Sequence, residues 1–395
     1  MVLRQLSRLI IGLLMISIAG TSLYVGAESV SASPQPLRTN AKASALIDVK
    51  SGRLLHSEDG DTSMRIASLT KIMTAIVAIE NGKVSDTVKT SKRAVGKEGS
   101  SIYLQLDEEM TLLNMLYGLM LRSGNDAATA IAEHVGGSEE GFVQLMNEKA
   151  EFIGMRNSQF KNPHGLDEEG HYSSANDMAK LTAYALRNPV FADIVSTKVK
   201  QVPNPHEQWQ YTWTNKNKML NMYEGADGVK TGYTKKSLRC LVSSATRNGQ
   251  QIAAVTLNDG DDWLDHRHML DWGFNNYPLV EVASKGQTLA GYPYAIGQNF
   301  QYPLTEDEKA AVQSKLVLEN AKTTRFALGE KGALEWYLND VKIGSVPVYD
   351  LDSNRLKLPE HQPMSKASIA DYEKAQAPNH SLFSSIVSVL NALFG

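Results

Sequence analysis

A serine three residues ahead of a lysine, Ser68-Leu69-Thr70-Lys71, is an arrangement in this chain that could do covalent chemistry. On a helix, positions i and i+3 share a face, so the Lys71 amine can reach the Ser68 hydroxyl. A serine hydroxyl is a weak nucleophile until a neighbouring base takes its proton, and an uncharged amine can be that base. The apolar residues Leu69, Ile72, Met73, Ile76, Val77 and Ile79 fall mostly at helical spacing, and Asn81-Gly82 ends the run. A helix start also supplies backbone N–H groups and partial positive charge where an oxyanion would form. The plainer alternative is a serine that merely caps a helix. Ser158-Gln159-Phe160-Lys161 has the same spacing, but Asn162-Pro163 follows at once and no helix can carry it.

Two further clusters could line a cleft around such a pair. Ser123-Gly124-Asn125 lies between helical patterns at Leu112–Leu121 and Asp126–Val135, so a tight interhelical loop projects a hydroxyl and an amide together. Its alternative is a cap, with Asn125 or Asp126 closing the second helix. Ser174-Ala175-Asn176 repeats the pattern but reads as the start of the helix running to Leu186. Lys230-Thr231-Gly232 follows an expected Asp227-Gly228 turn and begins a strand. A strand beside a cleft aligns a substrate through main-chain bonds, and Gly232 permits close backbone approach. Lys230 and the Thr231 hydroxyl suit a terminal carboxylate. An exposed edge lysine is the competing reading.

SxxK at a helix start, SxN between helices and KTG on a strand, in that order, form the signature of penicillin-binding proteins and class A β-lactamases. The runs Arg65–Ala75 and Tyr117–Ala128, with Asn162-Pro163-His164-Gly165-Leu166, extend the likeness over nearly the whole chain. The chain resembles the low-molecular-mass D-alanyl-D-alanine carboxypeptidases, in particular a branch from endospore-forming Gram-positive bacteria that includes spore-cortex enzymes. The resemblance implies an α/β (α+β) fold of the serine β-lactamase/transpeptidase type, with an antiparallel sheet and a helical subdomain. It implies that Ser68 attacks the amide before the last D-alanine of a peptidoglycan stem peptide, with free-amine Lys71 as base. Burial and Lys230 would lower the Lys71 pKa. Ser123 would relay a proton, Asn125 would bind substrate backbone, and Lys230 and Thr231 the carboxylate. The N–H groups of Ser68 and Tyr233 would form the oxyanion hole. No cofactor is required, and β-lactam antibiotics would acylate the same serine.

One segment departs from that pattern. Many relatives place a carboxylate-binding arginine after the last hairpin, where this chain reads Asp259-Gly260-Asp261-Asp262-Trp263-Leu264-Asp265-His266-Arg267-His268. Arg267 is not aligned with it, and the acidic run reads as a solvated helix start rather than a metal site. A β-lactamase would need a glutamate between SxN and KTG; the pattern Glu335-Trp336-Tyr337-Leu338-Asn339 comes after KTG. A non-catalytic penicillin-binding sensor is the alternative from outside the enzymes.

The remaining chain must position and deliver these residues. Its 395 residues, 42% hydrophobic and 21% charged, accommodate two domains, and a net charge of −3 gives no electrostatic reason to expect nucleic acid. Strands at Ser44–Val49 and Ser51–Leu55, and at Leu241–Thr246 and Ile252–Leu257 around Asn248-Gly249, bracket the helical region and predict one shared antiparallel sheet. Residues 37–280 then form the hydrolase domain and 281–362 a small β-rich domain. Residues 363–380 read as a linker. Arg4 and Arg8 before the apolar run Leu9–Ala19 read as a secretory signal over residues 1–32, directing export to the outer face of the cytoplasmic membrane or beyond, possibilities that include the space around a forespore. Leu382, Phe383, Ile386, Val387, Leu390, Leu393 and Phe394 recur at helical spacing, so residues 381–395 predict an amphipathic helix on a membrane surface. Cys240, the single cysteine, reads as a buried strand residue.

Overall fold

Strand β1 (Ala43–Asp48) is buried at every position, so both faces of its sheet must be covered. It pairs with β2 (Leu54–Glu58) across the expected hairpin. The computed structural model describes residues 34–358. The secretory-signal reading for 1–32 and the linker and amphipathic-helix readings for 363–395 fall outside them. After β2, a 3₁₀ turn at Ala67–Leu69 leads into α1 (Thr70–Asn81), which is buried from Thr70 to Ile79. A short ribbon, β3 (Thr87–Lys89) with β4 (Glu109–Thr111), precedes the helical region. That region contains α2 (Leu112–Tyr117), a π-turn at Gly118–Arg122, α3 (Asn125–Gly136), α4 (Glu139–Ile153), α5 (Ala175–Leu186) and α6 (Pro189–Ser196). A second ribbon, β5 (Val199–Val202) with β6 (Tyr211–Thr214), and the one-turn α7 (Met219–Met222) lead back to the sheet.

The sheet is completed by β7 (Ala226–Thr234), β8 (Leu238–Arg247) and β9 (Gln250–Leu257), in the antiparallel order β2-β1-β9-β8-β7. Asn248 and Gly249 both have positive φ (49° and 79°), as a tight two-residue hairpin demands. Ala45, Ile47, Val242 and Val255 pack with α1 and its helical neighbours in one apolar cluster. Leu46, Leu241, Ile252 and Ala254 pack on Met269 and Leu270 of α8 (Asp262–Asn276) in another. Helices therefore cover both faces. Cys240 lies buried in β8, where burial pushes its thiol up to about 11, so it is inert.

Beyond α8 the chain is mostly strand: β10 (Leu279–Ala283), β11 (Tyr294–Ile296), β12 (Phe300–Pro303), a short α9 (Glu306–Ala311), β13 (Gln313–Leu318), β14 (Glu330–Leu338) and β15 (Val341–Asp350). The order β11-β15-β14-β13 makes a second sheet over Trp336, Val346 and Val348. Arg53, just before β2, ties this region to the first sheet. Its guanidinium pairs with Glu308 of α9, donates to the Pro303 carbonyl (2.6 Å) and lies 5.0 Å from the Tyr277 ring centre.

Two local expectations change. Asp227-Gly228 is not a turn before the strand: β7 already starts at Ala226, and the irregularity there is a bulge in its pairing with β8. The acidic run after β9 does start a helix, but Asp262, Asp265 and His266 are buried rather than solvated. Asp262 pairs with Arg239 and Asp265 accepts from the Asn40 backbone (2.6 Å). His266 sits between the Ser243 and Thr256 hydroxyls and is kept neutral by burial, its pKa near 3. Each already has a protein partner, which accounts for their burial beside the sheet.

Candidate active site

Lys71 is the second residue of a helix that is buried from Thr70 to Ile79, which removes its amine from water: the residue is 0% exposed. The preceding turn is 3₁₀, in which residues i and i+3 eclipse, so Ser68 and Lys71 stack. Lys71 Nζ lies 3.0 Å from Ser68 Oγ, 2.7 Å from Asn125 Oδ1 and 2.6 Å from the His164 carbonyl. Burial, then the charges of Lys230 and Lys216, lower its pKa well below the ordinary lysine value. A neutral amine has two N–H bonds and one lone pair. Asn125 Oδ1 and the His164 carbonyl can only accept, so they take the two N–H groups. The lone pair then faces Ser68, the one partner of the three with a proton to give.

The orientation of Asn125 is set from its far end, because its Nδ2 donates to the Glu98 carbonyl (2.5 Å). Asn125 begins α3 but does not cap it; Gly124 is the N-cap, without a side-chain bond. Asp126 instead turns outward to the loop before it, accepting from Ser101 Oγ (2.5 Å) and from the Ile102 and Leu104 amides (both 3.1 Å). Ser123, two residues from Asn125, has a left-handed backbone (φ 65°) and is 4% exposed, and its hydroxyl has no hydrogen-bond partner among the described residues. A buried unpaired hydroxyl costs free energy and is a place to look for function.

On the opposite wall β7 is an edge strand, yet Lys230 is only 1% exposed, so the reading of an exposed edge lysine fails. Burial, then Lys216, brings its pKa down to about 7, and its Nζ donates to the Thr231 carbonyl (2.8 Å). Gly232 shows why KTG ends in glycine: a Cβ there would lie 3.1 Å from the Ile66 carbonyl and 3.3 Å from the Leu69 amide. The strand thus lies directly on the turn that carries Ser68. Tyr233 follows, largely exposed, opposite Arg239 of β8. Thr231 is half-buried beside Lys230.

The decoys separate cleanly. Ser158 lies in no helix and bonds to Ser173 (2.7 Å) and Asp177 (2.9 Å), while Ser174 caps α5. Arg267 is exposed on α8, and Glu335 lies on β14, paired with Lys342.

Three contributors had no spacing signal in the sequence. His164 enters through its carbonyl, and its ring is held neutral near pKa 2 by burial. Gly165 has φ +84°, and a Cβ on it would fall 2.0 Å from the Ala67 carbonyl, so only glycine lets this loop close on the serine's turn. Lys216 donates to Ser100 Oγ (3.0 Å) and lowers the pKa of both other lysines. Its place depends on β6, far along the chain from both serine motifs, so only the fold reveals it. Replacing Lys230 by glutamine removes a positive neighbour that depresses Lys71. The Lys71 pKa then rises, and the acid limb of a kcat/KM–pH profile is expected to move to higher pH. An unmoved limb would mean that the two amines do not communicate.

A serine hydroxyl 3.0 Å from a buried lysine amine of lowered pKa, between a helical lobe and an edge strand, fits an acyl-transferring serine hydrolase. The sequence pattern of the D-alanyl-D-alanine carboxypeptidases of peptidase family S11 matches residues 29–261. The chain is 35% identical over 322 residues to the D-alanyl-D-alanine carboxypeptidase DacF of Bacillus subtilis (strain 168), covering 79% of this chain and 81% of that one. It is 31% identical over 293 residues to DacA of Escherichia coli (strain K12), covering 68% and 69% respectively. Penicillin binding protein 5 of Haemophilus influenzae superposes with a TM-score of 0.65 at 26% identity, over 80% of this chain and 98% of that one. The protein belongs to the D-alanyl-D-alanine carboxypeptidase family, the S11 serine peptidases within the penicillin-binding proteins.

Proposed function

We propose that this enzyme removes the terminal D-alanine from peptidoglycan pentapeptide stems through an acyl-enzyme on Ser68, and that β-lactams inhibit it at the same atom. The lone pair of Lys71, aimed at the Ser68 hydroxyl by two acceptor-only partners, carries the reading. Lys71 takes the Ser68 proton as Oγ bonds to the carbonyl carbon before the last residue. The oxyanion is held by the N–H groups of Ser68 and Tyr233. Ser123, its hydroxyl unpaired, passes its proton to the departing amine while taking up the one that Lys71 received from Ser68, and the C–N bond breaks. Water then attacks the ester and returns the proton to Ser68. Lys230 and Thr231 receive the terminal carboxylate, and a carboxylate arriving beside Lys230 favours its charged form. Asn125 holds Lys71 in place and offers its amide to the substrate backbone.

Residues 37–280 would carry this chemistry, with 281–362 as a β-rich spacer. Export through the 1–32 signal and attachment by the 381–395 helix, reached through the 363–380 linker, would place it at the outer membrane surface, near its substrate in cell wall or spore cortex. Incubation of the purified protein with a peptide ending in D-alanyl-D-alanine is expected to release D-alanine. Mass spectrometry after penicillin treatment is expected to place one adduct on Ser68. An adduct elsewhere, or no D-alanine, would overturn the reading.

A further inference from the structure

Beside the site, away from β7, lies a groove of about 420 Å³ whose walls include Tyr103, Gln105, Arg122, His206, Trp209 and Trp213. That volume is in the range of small-ligand sites. It opens from the catalytic loop itself: Arg122 precedes Ser123, and the Ser100 carbonyl accepts from the Asn125 amide (2.7 Å). Two of its aromatic rings face solvent, Tyr103 at 82% and Trp209 at 58% exposed.

The wall that carries Tyr103 is held in place by hydrogen bonds. Tyr103 has φ 65°, a left-handed backbone that a bulky residue adopts at a cost. Its neighbours on both sides, Ile102 and Leu104, donate to the buried Asp126 carboxylate, and its own amide donates to Ser101 Oγ (2.8 Å). Those bonds fix the strained residue with its ring outward. Opposite, an aromatic ladder runs from inside to outside, from β6 into the loop that joins it to β5. Trp213, 5% exposed, stacks on Tyr211 (ring centres 5.8 Å apart), which meets Trp209 edge-on at 5.6 Å.

We propose that this groove binds a pyranose ring of the glycan strand, an N-acetylated amino sugar, during cleavage of the stem attached to it; this rests on the function proposed above. Exposed aromatic faces cover the C–H face of a sugar ring, while the Gln105, Arg122 and His206 side chains suit its hydroxyl and acetamido groups. A peptide is better served by the free backbone edge of β7.

The test compares kcat/KM for a bare pentapeptide with that for the same pentapeptide on an N-acetylglucosaminyl-N-acetylmuramyl disaccharide. The parent enzyme is expected to favour the disaccharide form about tenfold. Tyr103→Ala and Trp209→Ala are expected to lose that preference while keeping the rate on bare peptide and penicillin labelling of Ser68. No preference in the parent, its persistence in both variants, or equal losses on both substrates would overturn the proposal; equal losses would assign the groove to peptide. Tryptophan fluorescence of the full Ser68→Ala chain, titrated with an N-acetylglucosamine tetramer, reads binding without turnover. Saturable quenching, weakened about fivefold or more by adding Tyr103→Ala, is expected. An absence of saturation would refute the sugar site even if the peptide is hydrolysed. Saturation without any peptide hydrolysis would uphold it while refuting the cleavage reaction.

Discussion

Replacing Ser68 by alanine is expected to cut D-alanine release by about 10⁴-fold or more and to abolish covalent labelling by penicillin. The loss follows from chemistry rather than folding. Ser68 contributes one hydroxyl in a 3₁₀ turn whose packing depends on its buried neighbours Ala67 and Leu69. Thermal unfolding should therefore be nearly unchanged. Ser158→Ala is the internal control. Its serine has the same spacing to a lysine but bonds to Ser173 and Asp177, far in function from Lys71, so labelling and turnover should persist. Loss of labelling in the Ser158 variant but not in the Ser68 variant would reverse the assignment.

Lys71→Ala is the second large effect, a fall in acylation of about 10²–10⁴-fold, as befits removal of a general base. Lys71→Arg is not expected to restore it. A guanidinium stays charged throughout the working pH range and has no lone pair for the Ser68 proton. A discriminating readout is the pH profile of penicillin acylation: the limb governed by Lys71 should disappear in the alanine variant, leaving a residual rate that depends on hydroxide. Retention of the original acid limb would show that some other group takes the proton. Alanine also leaves the Asn125 and His164 oxygens without their donor, so a stability measurement belongs beside the rate.

Spacing made the pairs legible, and only the family resemblance brought them together with Lys230 in one site. Ser68 and Lys71 lie three residues apart, and Ser123 and Asn125 two, so local periodicity could place each pair on one helix start or loop. The hairpin at Asn248-Gly249 and the shared sheet were likewise readable, because turn chemistry and alternation are local. What could not be read is contact across the fold. The His164 carbonyl contributes a backbone atom, which any residue type would possess. Lys216 acts through its charge on two other lysines, and no spacing announces that. Burial decides the remaining readings. For Lys230 the exposed edge lysine is only the competing reading, suggested because β7 is an edge strand, and its burial rules that reading out. The acids at the start of α8 resembled a solvated helix cap, yet Arg239 and Asn40 partner two of them inside. In both places a pattern gave the element correctly and a tertiary partner decided its solvent exposure.

The two glycines pressed against the serine's turn have a consequence for inheritance under drug selection. A Cβ at Gly165 would drive into the Ala67 carbonyl, and one at Gly232 would crowd the Ile66 carbonyl at 3.1 Å, disturbing the turn that carries Ser68 and with it both activity and susceptibility. Mutational escape from β-lactams in a lineage carrying this protein is therefore expected to avoid both positions. It would arise through changes in the outer walls of the cleft, or through another gene altogether.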